Sequence, residues 1–424
     1  MTTTSSTSPW RVGALALTAG VTLLAGACGN GNDDEPPGEG PVAVADAFTP
    51  ELQDLCNKVT SRTVAAASGP NMVIVQDGTQ SVVGTPSPDA YVAQISQLSE
   101  DDGGLTLIGV NGADTKPSTL LLDAALSTPG PRDRPSVAKL ADLMPTCVDQ
   151  GFRTSFTSTG TGTDLYRAMA TAAEVATAQT QLWTFTDMLS NAGQLALTAE
   201  LLAQEPDVAG RRAAAAAPLD LHGAMWHVVG IANTTAGLMP ADRSWLLAFT
   251  QELCRSWHAA GCDAIALAPT KATTSARPAA PSDAAPTFPT VSTTTTATTC
   301  TFSVPSSVGF RSDSSVLLPG AESLLSGALD LLSAHPDARA VVVGHTASTD
   351  PGSEGHSGQQ LSLDRAEAVA AVLERVAPGR VKAKGVGDSE PLGEDLDPTT
   401  GEQVDAAAAR ERRVDITVTG TGCA

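Results

Sequence analysis

Between Pro269 and Cys300 the chain reads TKATTSARPAAPSDAAPTFPTVSTTTTATT. This tract of Thr, Ala and Pro holds apolar side chains too small and too irregularly spaced to build a core. A chain carrying such a linker, over residues 269–299, is expected to fold as separate units on either side of it. Length agrees, because 424 residues exceed what one core usually organises. Neither side shows an internal repeat. Aromatics make up only 4% of residues against 42% hydrophobic overall, so the cores must be built largely from Ala, Val and Leu.

The segment over residues 47–268 alternates strand-like and helix-like stretches, the pattern of an α/β domain with a largely parallel, Rossmann-like sheet. The buried strands are expected at Asn71 to Val75, Leu105 to Val110, Leu182 to Phe185, Trp226 to Ile231 and Ala264 to Ala268. The clearest helical patterns are Leu165 to Ala178, Leu195 to Ala203 and Arg243 to His258, the last with Leu246, Phe249, Leu253 and Trp257 at helical spacing. Residues 300–424 alternate as well. Helices are expected over Ala321 to His335 and Leu361 to Val376, and strands over Ala340 to Val343, Val381 to Lys384 and Val414 to Thr419.

A net charge of −21 argues against nucleic acid, which needs clustered Lys and Arg. Near the N-terminus, Arg11 precedes the apolar run VGALALTAGVTLLA, shorter than the roughly 20 residues that span a membrane. The run ends in Leu24-Ala25-Gly26-Ala27-Cys28, which resembles a bacterial lipobox with Ala25 in place of the usual Leu. Residues 1–28 are therefore expected to be a lipoprotein signal peptide with Cys28 as the lipidated residue. Residues 29–46, rich in Gly and acid, would be a disordered tether to the outer, extracytoplasmic face of a membrane. Six other cysteines suit disulfides in an exported protein. Cys254 and Cys262 are near neighbours and Cys300 and Cys423 bracket the last segment, which leaves Cys56 with Cys147; other pairings remain open.

Over residues 300–424, five blocks stand in a fixed order: Phe310 with Leu318-Pro319, Val341 to Thr346, Leu361-Ser362-x-x-Arg365-Ala366, Gly385-x-Gly387 and Arg412-Arg413-Val414. They resemble the OmpA-like family of α/β peptidoglycan-binding domains. The resemblance implies that an Asp after a strand and an Arg on the following helix hold the zwitterionic end of diaminopimelate. A carboxylate would pair with the ligand ammonium, and a guanidinium would grip its carboxylate through two hydrogen bonds. Ala347 stands where the family has that Asp, so Ala347 to Thr349 reads as a short insertion and Asp350 supplies the acid. Arg365 and Arg412 complete the expected peptidoglycan site. Glu411 replaces an Asn of the family, and His345 reads as a structural residue.

In the middle segment, Asp77-Gly78-Thr79-Gln80-Ser81 follows a strand and resembles the DxSxS motif of von Willebrand factor A-like domains. Gly162-Thr163-Asp164 and Thr186-Asp187 resemble that family's second and third metal loops. The resemblance implies a site for Mg²⁺ built from Asp77, Thr79, Ser81, Thr163 and Asp187, with a position left for an acidic group on an unknown protein partner. The same residue types also cap helices. No catalytic residues are assigned: the His residues show no HExxH spacing and there is no GxSxG elbow. An exported enzyme acting at the cell wall is the alternative to a binding protein. A flagellar stator would need a membrane helix with a proton-binding Asp, which the sequence lacks.

Overall fold

A computed structural model describes Cys56, residues 70–265 apart from 80, 83–84, 102, 126–133, 154–155 and 235–236, and residues 283–420 apart from 349–356. Cys28, Asp350 and Cys423 lie outside the described residues, as do the expected signal peptide and tether. None of the helices among the described residues is long and apolar enough to cross a membrane.

The first sheet has six strands: β1 (Asn71–Asp77), β2 (Gly104–Val110), β3 (Ser118–Ala125), β4 (Gln181–Phe185), β5 (Met225–Val229) and β6 (Gly261–Ile265). Their order is β3-β2-β1-β4-β5-β6, parallel throughout except for β3, which runs antiparallel beside β2. Alternation along β1 explains why this strand sits centrally. Val73 and Val75 face one apolar layer while Met72 and Ile74 face the other, so both faces are covered. Helices α1 (Asp89–Glu100) and α2 (Arg134–Val148) close the second face through Tyr91, Ile95, Met144 and Val148. On the opposite face lie α3 (Leu165–Val175), α4 (Pro206–Ala216) and α5 (Pro240–Ser256), with Trp226, Trp245, Phe249 and Trp257 fully buried. A disulfide joins Cys56 to Cys147 on α2 across 91 residues.

The second sheet contains β7 (Ser292–Thr295), β8 (Thr299–Pro305), β9 (Arg339–Gly344), β10 (Val381–Gly385) and β11 (Arg413–Thr419), in the order β10-β9-β11-β8-β7. Only the β9–β10 pair is parallel, joined by the crossover helix α7 (Ser357–Leu373). Alternate residues Val414, Ile416 and Val418 of β11 turn inward. They meet Ala366, Val369 and Leu373 of α7 and Leu332 of α6 (Ser326–Ala334). A short helix, α8 (Asp405–Glu411), leads into β11. Two motif glycines explain how closely α7 lies on the strand ends. A Cβ on Gly344 would stand 1.9 Å from the Ser362 carbonyl oxygen, and one on Gly385 would stand 2.4 Å from the Leu363 nitrogen. No other residue permits that approach.

Several expectations change. The pattern over Leu195 to Ala203 gives two single turns, at Gly193–Leu195 and Ala199–Leu202, and the longer helix is α4. Pro206 starts it, where a missing N–H costs nothing, and its Ala-rich sequence masked the usual apolar stripe. The strand expected at Ala264 to Ala268 begins earlier, at Gly261. The tract read as a linker is not featureless: residues 292–295 add the edge strand β7, and Phe288, its single aromatic, is buried edge-on against Trp245 at 5.5 Å. Cys254 and Cys262 carry free thiols that share a hydrogen bond, in place of the expected disulfide, while Cys300 is disulfide-bonded.

Residues 283–420 do not stand apart from the first sheet. The Ser244 hydroxyl on α5 donates to the Pro319 carbonyl at 2.5 Å, Arg212 on α4 is paired with Asp405 on α8, and one apolar core runs through both sheets.

Candidate functional site

Two groups of polar residues answer to the sequence motifs. The first lies at the carboxyl ends of β1 and β4, where the strand order reverses and open α/β sheets hold their ligands. Asp77 ends β1 fully buried. Its Oδ1 accepts the Thr79 N–H at 3.0 Å and the Thr79 hydroxyl at 2.7 Å, and its Oδ2 accepts the Thr186 hydroxyl at 2.8 Å. Ser81 Oγ lies 3.4 Å from Thr79 Oγ1. The turn therefore draws the three motif residues together and ties them to the end of β4. Asp187 follows immediately. Its Oδ1 accepts the Leu189 N–H at 3.0 Å, while its Oδ2 is buried with no hydrogen-bond donor among the described residues.

Thr163 is held to the same loop, because its carbonyl accepts the Asn191 and Ala192 N–H groups and the Ser190 hydroxyl. It does not cap α3. That role falls to Asp164, which accepts the Arg167 N–H at 3.2 Å. Nor do Thr79 and Ser81 cap α1, whose N-cap is Pro88.

Electrostatically this first site crowds two buried carboxyl groups together. Burial, and then the Asp77 charge, push the Asp187 carboxyl up to about 7, and burial also raises Asp77. Two buried carboxylates, three hydroxyls and an orphaned carboxylate oxygen fit a hard, oxygen-liganded ion such as Mg²⁺. Among the described residues, no cluster of three or more His, Cys, Asp or Glu side chains is arranged to hold a metal, so the hydroxyls would have to complete the set. One further acid was not legible in the motifs. Asp283, from the Thr/Ala/Pro tract, accepts the Thr163 hydroxyl at 2.9 Å and the Asn191 amide at 2.6 Å, and its charge reaches both Asp77 and Asp187.

The second group lines a cavity of about 570 Å³ between the two sheets' helices. Arg365 projects from α7 into it and is fully buried, with its guanidinium carbon 5.3 Å from the Phe310 ring centroid. Its Nε donates to the Ser314 carbonyl at 2.9 Å, and its Nη2 lies 3.5 Å from Glu205 Oε1. Burial lowers its pKa, opposed by the charges of Glu205 and Asp313. Arg412 reaches the same cavity. Its Nη2 donates to Gln204 Oε1 at 3.0 Å, and its Nε lies 3.8 Å from Glu205 Oε2. The structure thus brings the two expected arginines together. Asp313 also lines the cavity, in the left-handed backbone region that Asp tolerates better than most residues. Sequence reasoning missed Gln204, Glu205 and Asp313, since no motif marks them.

The neighbouring motif residues are structural. Glu411 is buried and accepts the Leu392 and Gly393 N–H groups, each at 2.9 Å, as well as Arg413 Nη1 at 3.1 Å. His345 Nε2 lies 3.2 Å from Asp415 Oδ2 at the end of β9.

Comparison with known proteins concerns this second half of the chain. The OmpA family model matches residues 309–405. Outer membrane porin F of Pseudomonas fluorescens is 32% identical over 117 residues, which cover 27% of this chain and 33% of that protein. The chain thus spans about a third of that relative's length. Among solved structures, the cell wall anchor of the T6SS from Pseudomonas aeruginosa is 24% identical, with a TM-score of 0.26, over 31% of this chain and 88% of that one. The OmpA-like domain of FopA1 from Francisella tularensis is 20% identical, with a TM-score of 0.24, over 30% of this chain and 79% of that one. Together with the ordered motifs around Arg365 and Arg412, the family match makes the C-terminal part of this chain an OmpA-like domain.

Proposed function

We propose that the protein is a cell-envelope anchor that binds peptidoglycan non-covalently through the free end of diaminopimelate. The observation that carries this reading is the meeting of Arg365 and Arg412 in one cavity of ligand size, inside a domain matched by the OmpA family. Guanidinium groups suit a ligand carboxylate because their N–H donors match its two oxygens. In this reading Asp350 accepts the ligand ammonium, and Asp313 adds a second acid at the cavity.

The rest of the chain would serve the same anchoring. Cys28 carries the lipid that holds the protein to the outer face of a membrane, and residues 29–46 tether it. The middle segment is read as a von Willebrand factor A-like domain that uses Mg²⁺ to engage an acidic group on a protein partner. Two observations support this: the strand order, with one antiparallel edge strand, and the convergence of Asp77, Thr79, Ser81, Thr163 and Asp187 at the strand ends.

Sedimentation of the full chain with diaminopimelate-containing sacculi tests the reading. The wild type should pellet with the sacculi, and Arg365→Ala and Arg412→Ala should lose that binding. Equal pelleting of all three would sink the site assignment.

A further inference from the structure

Arg365 is the side chain expected to grip the wall ligand, yet in this structure the residue is 1% exposed. Phe310 and Ser314 of its own half lie against it, and a carboxylate from the other half of the protein closes on it as well. Glu205, 160 residues earlier, puts Oε1 3.5 Å from Arg365 Nη2 and Oε2 3.8 Å from Arg412 Nε, so one carboxylate spans both guanidinium groups. Both two-bond geometries open to a carboxylate on a guanidinium use Nη2, and Nε is already committed to the Ser314 carbonyl.

We infer that Glu205 is an internal stand-in for the ligand carboxylate, and that the middle domain holds the wall-binding site of the OmpA-like domain closed until the two separate. This rests on the reading of Arg365 and Arg412 as the peptidoglycan site.

The surroundings of Glu205 fit a purpose-built contact. The residue occupies the N-cap position of α4, but its side chain makes no capping bond and is free to point across the interface. The preceding Gln204 is fixed from both sides: its carbonyl accepts the Trp245 indole N–H at 3.0 Å, and its side-chain oxygen accepts Arg412 Nη2. A carboxylate carried by the same chain competes with any ligand at a high effective concentration. Beyond it, the cavity continues past Asp313, Thr346, Ser348 and Gly358, so there is room for a ligand once Glu205 withdraws. The Arg212–Asp405 pair straps the same interface from its exposed rim, nearly half exposed on each side. Separation would break that pair at little cost.

The full chain tests the inference by sedimentation against graded amounts of diaminopimelate-containing sacculi, with thermal melting as a check that each variant folds. Glu205→Gln keeps the shape but removes the charge, and should bind about tenfold more tightly than wild type, since a competing contact near 1.4 kcal/mol is lost. Asp405→Ala cuts the rim strap to Arg212 and breaks no hydrogen bond to Arg365 or Arg412, although its charge reaches Arg412. It should tighten binding in the same direction by a smaller factor, and it keeps the test open should Glu205→Gln fail to fold. Adding Arg365→Ala to either variant should abolish binding. If Glu205→Gln and Asp405→Ala bind no better than wild type while Arg365→Ala loses binding, the closed-site inference is overturned and the wall site stands. Weaker binding by Glu205→Gln overturns it too, since Glu205 would then contact the ligand. Should Arg365→Ala bind as well as wild type, the site reading itself fails, and the inference with it.

Discussion

The Thr163 hydroxyl donates to the Asp283 carboxylate at 2.9 Å, so an acid from the Thr/Ala/Pro tract closes over the hydroxyl and carboxylate cluster at the switch point of the first sheet. The cluster therefore brings three carboxyl groups near its hydroxyls, since the Asp283 charge reaches Asp77 and Asp187. A cation bound there would be attracted by all three. Isothermal titration with Mg²⁺ should accordingly show weaker binding for Asp283→Asn than for wild type, by roughly tenfold for the loss of one nearby charge. Asp77→Ala should show no binding. Undiminished Mg²⁺ binding by Asp77→Ala would mean the cation site lies elsewhere.

The same cluster predicts a pH dependence. Burial and the Asp77 charge raise the Asp187 carboxyl to about 7, above its ordinary value, so in the metal-free protein the folded chain keeps a proton that the unfolded chain has released. The stability contributed by this group is fully present below about pH 4 and is lost as pH rises through about 7. Melting temperatures in EDTA should fall over that window, and Asp187→Asn should flatten the fall. Added Mg²⁺, which needs the ionised carboxylate, should stabilise more at the upper end of the window than at the lower. A melting temperature that does not change with pH in EDTA would contradict the burial of these carboxylates.

Gly344 is a position where sequence motif and packing meet. A methyl group there would sit 1.9 Å from the Ser362 carbonyl, which is backbone and cannot swing aside. Gly344→Ala should push α7 off β9 and destabilise the protein by about 3 kcal/mol. Urea denaturation would read this, together with lost sacculus binding, because Arg365 rides on the same helix. An unchanged denaturation midpoint would show that α7 has slack against the sheet.

Adjacent arginines should behave differently. Arg412 faces the cavity, whereas Arg413 is buried against Glu411 and Asp415, 3.1 Å from each. Arg413→Ala would leave the buried Glu411 carboxylate without its cation, a loss on the order of 3 kcal/mol. Arg412→Ala should leave stability close to wild type and remove wall binding. Denaturation and sedimentation of the two variants, side by side, separate the roles, and equal stability of both would refute the assignment.

Phe288 is the aromatic that converts part of a low-complexity tract into structure. It is buried against Trp245, and its replacement by Ala should cost about 3 kcal/mol and expose the tract to proteases. Limited proteolysis that cuts wild type and Phe288→Ala at equal rates would show that β7, rather than Phe288, holds the tract.

Much of the architecture was legible in local pattern. Strand β1 reads as a continuous apolar run because a parallel strand covered on both faces needs one. The glycines and arginines around α7 stand at fixed spacings because backbone approach and ligand chemistry demand those residue types. The helix at Pro206–Ala216 was missed because Ala gives no hydrophobic stripe to read. What the sequence by itself determined was therefore the parallel strands of the first sheet and β9, β10 and β11 of the second, the five ordered motifs that carry Arg365 and Arg412, and the acids and hydroxyls after β1 and β4. Tertiary structure alone decided what those groups touch. Glu205 meets Arg365 across 160 residues and Asp283 meets Thr163 across 120, pairings that follow from how the two sheets and the tract between them pack. Such contacts depend on three-dimensional proximity of elements that share no sequence period, so no spacing along the chain could announce them.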